Sequence, residues 1–202
     1  MIPRRPLGVV LGGLFFWAAG GSRGIVSAGD CGAKMTKPTL GEIKQAISVV
    51  VKLLKEYPSL PREERELDRI LYAYFKGRYP NASRQKGVVF SGGTRGRIDF
   101  RLGGTNPAVI ELAVRSQDGG NIGVGGNKPE LGKLSRVPQA QAKVRVLLLV
   151  DLNSRPVSFQ SLKNGYDAYH LGRGKFERQP VSVVYASLEE VHRFPWSPYR
   201  QR

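Results

Sequence analysis

Two carboxylates lie inside apolar, strand-like stretches of an otherwise basic region. Asp99 interrupts the stretch RIDFRL and Glu111 interrupts AVIELAVR, with the turn GGTNP between them. If the two stretches form a hairpin, the carboxylates lie side by side, where two ionised acids repel each other unless a cation sits between them. Carboxylate pairs suit Mg²⁺ or Mn²⁺, and a metal-bound water beside a phosphodiester is what backbone hydrolysis of a nucleic acid requires.

The alternation of side chains across a strand predicts which residues accompany each acid. Asp99 is expected to share a face with Arg97 and Arg101, away from the apolar residues of the same strand. Glu111 is expected to share a face with Ala113 and Arg115. A purely structural interpretation stays open, in which both acids neutralise these arginines on an exposed face of the sheet.

The net charge of the chain points to a polyanionic partner. Its 202 residues include 32 Lys and Arg against 16 Asp and Glu, a formal charge of +16 with a pI near 10.3. Such an excess opposes compaction unless a polyanion is bound, and nucleic acid is the first candidate, ahead of an anionic membrane surface. The single cysteine, Cys31, excludes an internal disulfide and a cysteine-based zinc site. The residues predicted to bind nucleic acid cluster between 76 and 101: Lys76, Arg78, Arg84, Lys86, Arg95, Arg97 and Arg101.

Apolar periodicity predicts two helices followed by an alternation of strands and helices. The first helix covers residues 39–55, and the second begins at Pro61, with acids in its first turn as the helix dipole favours. The glycine-rich segment 116–129 is predicted to be a mobile loop. The remaining elements are strands at 87–90, 97–102, 108–115, 144–152 and 181–186, and helices at 130–137, 159–171 and 188–194.

This order, together with the motifs RIDF, VIELAV and REERELDRIL, resembles the PD-(D/E)xK nuclease superfamily. The acidic second helix is particularly similar to the opening helix of archaeal Holliday-junction resolvases, and LLLVDL resembles the fourth core strand of the family. The resemblance implies an α/β fold, with a restriction-endonuclease-like αβββαβ core and a mixed central sheet. It also implies a metal-dependent DNA phosphodiesterase that uses Mg²⁺ or Mn²⁺, with Asp99 and Glu111 as metal ligands. Glu64 or Glu66 would add a helix ligand, of which we assign Glu66.

One position departs from the family pattern. Ala113 stands where the family has the lysine of Glu-x-Lys, whose charge would orient the attacking water and stabilise the phosphate. Arg115, Lys128 and Lys133 are the candidate substitutes, and we assign Lys133 and Arg115 to the catalytic set. Two functions therefore stay open: an active deoxyribonuclease, or a nucleic-acid-binding module that kept the fold and lost the chemistry.

The sequence further predicts four segments and several partners. Residues 1–34 are a signal-like or mis-assigned extension, 35–60 an N-terminal helix, 61–194 the nuclease-like α/β domain and 195–202 a basic tail. A start at Met35 would make the protein cytoplasmic, whereas a genuine signal over residues 1–28 would make it secreted or membrane-associated. The expected partner is DNA, including branched DNA, with no small-molecule cofactor and no membrane; resolvase-like members imply a homodimer by analogy.

Overall fold

The computed structural model describes residues 38–57, 63–104, 106–172 and 174–200, and the predicted extension over residues 1–34 lies outside them. The described chain is a mixed α/β fold with four helices and one six-stranded sheet. None of the described helices is long and apolar enough to cross a bilayer. The elements in chain order are α1 (Leu40–Glu56), α2 (Glu64–Arg78), β1 (Ser83–Val89), β2 (Arg95–Leu102), β3 (Ala108–Arg115), α3 (Val124–Ser135), β4 (Val144–Asp151), α4 (Phe159–Asp167), β5 (Val181–Ser187) and β6 (Val191–Trp196).

The strands lie in sequence order across the sheet. β1, β2 and β3 form an antiparallel meander, β3, β4 and β5 are parallel, and β6 returns antiparallel to β5. The parallel pairs need crossover connections, which α3 and α4 provide. The order α2, β1, β2, β3, α3, β4 is the helix, three strands, helix and strand that the sequence pattern predicts.

Two apolar clusters hold the layers together, one on each face of the sheet. Helices α1 and α2 cover one face through residues such as Ile47 and Phe75, and α3 and α4 cover the other through residues such as Leu131 and Tyr166. β4 is buried on both faces, as its near-continuous apolar run predicts. Since α1 packs in the same cluster as α2, the predicted N-terminal helix belongs to the same core as the α/β domain.

Two predicted elements differ most from the structure; in addition, β1 begins at Ser83 and not at residue 87, and α4 ends at Asp167 and not at residue 171. The segment 188–194 is predicted to be a helix, but Val191–Trp196 is strand β6, paired with β5 and continuing two residues into the predicted basic tail. Phe194 and Trp196 are buried and the residues between and before them are not, which is the period of a strand. Six residues are too few for this period to be recognised from the sequence, and the two preceding glutamates favour the prediction of a helix.

The glycine-rich loop is also shorter than predicted, because α3 begins at Val124. Asn127 is buried and donates its side-chain amide to the carbonyls of Asn121 and Gly123, which closes the first turn. At Gly126 an added Cβ would lie 2.8 Å from the Asn121 side chain, so the close approach requires glycine there. Tertiary packing thus overrides the low helix propensity of the glycines.

The packing of α1 predicts a large difference between two aliphatic residues of this helix. Ile47 is fully buried, whereas Val49 is 42% exposed. We expect Ile47→Ala to lower the free energy of unfolding by about 2–5 kcal/mol, because it leaves a cavity in the core. The matched control Val49→Ala should change it by less than about 0.5 kcal/mol. Urea unfolding of both variants checks this, and equal effects would contradict the packing of α1 on the sheet.

Candidate active site

Strands β2 and β3 separate at the position of the two predicted carboxylates. Their paired residues run from Leu102 with Ala108 to Phe100 with Ile110, and continuing this register by one residue sets Asp99 opposite Glu111. The regular ladder stops there. In place of a bond between the two backbones, the Oδ2 of Asp99 accepts a hydrogen bond from the backbone N–H of Leu112 at 2.9 Å. The two acids therefore lie at the point where the strands part.

The predicted faces of β2 are wrong, because the alternation of side chains breaks at Asp99. Ile98 packs in the cluster under α3, whereas Phe100, two residues on, packs in the cluster under α2. The partner strand breaks at the same level, where Gln85 has φ 46°, in the left-handed region that non-glycine residues rarely adopt. The Nε2 of Gln85 donates to Asp99 Oδ1 at 2.8 Å, so both carboxylate oxygens of Asp99 are held in place.

Glu111 is buried beside a lysine from the next helix. It is 2% exposed, on the face of β3 that α3 covers, and Lys133 Nζ lies 2.8 Å from its Oε1. This contact pairs the carboxyl group of Glu111 with the ammonium of Lys133 across β3 and α3. Burial and, next, the negative charge of Asp99 raise the pKa of Glu111 from 4.5 to about 9. The contact with Lys133 acts in the opposite direction but does not reverse this shift.

Lys133 remains a cation in this environment. Burial acts to lower the pKa of its ammonium, but the contact with Glu111 and the nearby charges of Glu130 and Asp99 act in the opposite direction, and the net shift is upward. Glu130 lies one turn earlier on α3, with Oε1 3.9 Å from Lys133 Nζ. The aliphatic neighbours Leu131 and Leu134 are fully buried and anchor this turn of α3 against the sheet.

Helix α2 contributes Glu64 to the site. Partial burial, followed by the charge of Asp99, raises the pKa of its carboxyl group, and the nearby backbone of Val114 acts in the opposite direction. Asp68, one turn later, also has a raised pKa, mainly through burial. The structure does not bring Glu66, the assigned helix ligand, to the two strand acids, because Glu66 Oε2 pairs with Arg69 at 3.0 Å.

The strand acid Asp99 opens onto a cleft of about 360 Å³ between α2 and the β1–β2 hairpin. Two of the three acids of α2, Glu64 and Asp68, face this cleft, and an exposed arginine lies at its side. The lining residues are Glu64, Arg65, Asp68, Gln85, Asp99 and Leu112. Of these, Arg65, Asp68 and Gln85 were not predicted as site residues. Asp68 could have been found, because it follows Glu64 by four residues and so shares its face of the helix.

Of the three candidate substitutes for the family lysine, only Lys133 is in contact with Glu111. Arg115 Nη1 donates to Asp151 Oδ2 at 2.9 Å and to the carbonyl of Arg155, so it is engaged at the end of β4. Lys128 lies over the ring of Tyr169, 5.1 Å from its centroid. These contacts hold Arg115 away from Asp99 and Glu111, so they do not support its predicted catalytic role.

The predicted nucleic-acid-binding residues fall into two groups. Three of them have partners within the protein: Arg78 pairs with Glu42, Arg84 pairs with Asp68, and Lys76 donates to the carbonyls of Pro80 and Ala82. The other four lie on the β1–β2 hairpin and form no ion pair with any described residue. Lys86, Arg95 and Arg97 are exposed, and Arg101 is half-buried.

The donor set fits a divalent cation held by two carboxylates. Within the described residues, no group of three or more His, Cys, Asp or Glu side chains is arranged to hold a metal ion. Asp99 and Glu111 offer a pair of hard oxygen ligands, and Mg²⁺ commonly uses one or two carboxylates and keeps several waters. A cation between them would also offset the charge of Asp99, which raises the pKa of Glu111.

Comparisons with known proteins leave the family open. No protein-family model matches the chain, and no curated protein matches it either. The crystal structure of a protein designated SSO0001 is similar at 14% sequence identity and a TM-score of 0.27, over 76% of this chain. The match spans about three fifths of that protein, 61% of its length.

The raised pKa of Glu111 predicts a pH-dependent stability. The folded protein binds more protons at this site than the unfolded chain between about pH 5 and pH 9, so the free energy of unfolding falls as the pH rises through this window. Glu111→Gln cannot ionise and should lose less stability over the same range. We expect the difference between wild type and variant to change by at least about 1.4 kcal/mol, the equivalent of one pKa unit.

Urea unfolding in EDTA at pH 5.5 and 8.5 measures this difference. Glu56→Gln is the matched control, because Glu56 is exposed on α1. If the unfolding energies of wild type and Glu111→Gln change in parallel with pH, Glu111 does not carry the raised pKa.

Proposed function

We propose that the protein is a metal-dependent DNA phosphodiesterase of the endonuclease type, with a restriction-endonuclease-like core. The observation that carries this proposal is the convergence of Asp99, Glu111 and Lys133 where β2 and β3 part, beside an open cleft. Two acids and a lysine are the chemical groups of the PD-(D/E)xK motif. The order of helix, three strands, helix and strand gives further support.

Each residue has a role in this proposal. Asp99 and Glu111 hold Mg²⁺ or Mn²⁺, which lowers the pKa of a bound water and polarises the phosphate when it is present. Lys133 offsets the negative charge that develops on the phosphate, and its position on α3 replaces the strand lysine lost at Ala113. Glu64 accepts a proton or a water-mediated hydrogen bond at the α2 side of the cleft. Gln85 keeps Asp99 oriented through its amide.

The second candidate function is a nucleic-acid-binding module on the same fold. It is favoured by Ala113, which is buried among apolar side chains. Metal binding and cleavage distinguish the two candidates, because a degenerate module binds DNA without cutting it.

The proposal predicts a steep loss of cleavage on substitution of the motif residues. Wild type should cleave linear or branched DNA with Mg²⁺ or Mn²⁺, and Asp99→Asn and Glu111→Gln should abolish Mn²⁺ binding and cleavage together. Lys133→Ala should reduce the rate by about 10²–10³, the typical loss of one electrostatic donor. Lys128→Ala is the matched control, because Lys128 lies on the same helix and faces Tyr169.

Two outcomes of this assay would contradict the proposal. Cleavage that survives both carboxylate substitutions would mean another site or a contaminant. Intact DNA binding with no metal binding and no cleavage in wild type would favour the degenerate module.

The two glutamates of α2 make a second, paired prediction. Glu64 lies near Asp99 and Val114, whereas Glu66 pairs with Arg69. Glu64→Gln should reduce cleavage by about 10–100-fold, the usual effect of a group beside a metal site, whereas Glu66→Gln should change it less than about twofold. Cleavage rates over a Mn²⁺ titration measure both. A larger loss in Glu66→Gln would mean that the helix ligand is Glu66 after all.

A further inference from the structure

A second cavity on the β1–β2 hairpin is lined by basic and neutral polar side chains. It measures about 380 Å³ and lies where α2 ends and β1 begins. Three cations face it, Lys76, Lys86 and Arg101, together with the amide of Asn81 and the hydroxyl of Ser83. Among the described residues that line this cavity, none is acidic. We call it the basic cavity.

The break in strand alternation brings these side chains together. Ser83 is opposite Arg101 in the register of the hairpin, and Lys86 is opposite Ile98, which packs under α3. In a regular strand, Ser83 and Lys86 would point to opposite sides, since they are three residues apart. The irregular backbone at Gln85 reverses the alternation, and Lys86 therefore joins Ser83 and Arg101 on one side.

The positive charges of the basic cavity are not neutralised within the described protein. Lys86 and Arg101 form no ion pair with a described residue, and Lys76 is held by the carbonyls of Pro80 and Ala82 and not by a carboxylate. Three cations around one small cavity repel each other, and a bound anion removes that repulsion. Hydroxyl and amide donors beside the cations suit an oxyanion such as phosphate.

The basic cavity and the cleft of the candidate active site are formed by the same hairpin. Gln85 and Asp99 line the cleft, and Lys86 and Arg101, from the same two strands, line the cavity. Asp99 opens towards α2, whereas Arg101 lies between Phe100 and Leu102, which pack under α2, and so points to the other side of the hairpin.

We propose that the basic cavity binds a backbone phosphate of the substrate DNA. The inference rests on the proposed function, because it assigns the ligand of the cavity to the DNA that is cut. The cavity then holds the DNA by its backbone without reading its sequence.

The test measures DNA binding without cleavage. A fluorescein-labelled duplex is titrated in EDTA at several salt concentrations, and the slope of log Kd against log salt is determined by anisotropy. Each phosphate contact contributes about 0.9 to this slope, so Lys86→Gln/Arg101→Gln should reduce it by up to about 1.8. Lys86→Arg/Arg101→Lys keeps both charges and should retain the slope.

The matched control removes two charges elsewhere. Lys52→Gln/Arg193→Gln changes two exposed residues, on α1 and on the opposite edge strand β6, and should leave the slope within about 0.5 of wild type. Thermal melting of all variants checks that the fold is retained. A slope that falls equally in the control would mean that the protein binds DNA through its net charge and not through the cavity.

Three further outcomes separate this inference from free phosphate binding and from the proposed function. Saturable binding of inorganic phosphate that the double variant loses, with an unchanged DNA slope, would assign the cavity to free phosphate and overturn the inference. If wild type cuts DNA but the salt slopes of wild type and Lys86→Gln/Arg101→Gln are equal, the phosphate site is rejected and the proposed nuclease function is retained. Wild type that does not cut DNA, with a slope that falls in the double variant only, rejects the nuclease and keeps a DNA phosphate site.

Discussion

Strand β2 has to bury apolar side chains on both faces of the sheet within three residues, and the organisation of the candidate site depends on this constraint. Ile98 packs under α3, and Phe100 packs under α2, where its ring meets Phe75 at 5.6 Å between centroids. A regular strand cannot do this, because residues two apart share a face. The chain reverses its alternation at Asp99, and the ladder to β3 ends there. Because of this break, the N–H of Leu112 bonds to the side chain of Asp99 and not to the backbone of β2, and the cleft opens beside it.

Acids in the strands of this sheet illustrate how the same residue type serves different purposes. Asp151, at the end of β4, is fully buried and accepts hydrogen bonds from Arg115 and from the backbone N–H groups of Asn153 and Val157, so it organises the turn that leads to α4. Glu111 is also buried, and its Oε1 lies 2.8 Å from the ammonium of Lys133 on α3. Burial and the charge of Asp99 raise its pKa, and a shifted pKa of this kind is typical of functional groups.

The buried pair of Glu111 and Lys133 contributes little to the stability of the fold. Removing two charges from water costs several kcal/mol for each ion, and their attraction offsets this only when the remaining polar atoms are satisfied. Here the raised pKa of Glu111 indicates that the attraction of Lys133 does not compensate for burial and for the charge of Asp99.

Much of the architecture was determined by the sequence alone. Apolar periodicity predicted α1, α2, β2 to β5 and α4, because the periods 3.6 and 2 reflect which side of each element faces the core. The hairpin spacing also predicted the level of the two acids, because the observed register, continued by one residue, sets Asp99 opposite Glu111. Tertiary structure decided the rest: that Lys133 of α3, and not Arg115, meets Glu111, and that Glu64, and not Glu66, faces the cleft. These choices depend on the rotation of α2 and α3 about their axes and on the break at Gln85 and Asp99. Both are set by packing between elements distant in sequence, which local patterns do not encode.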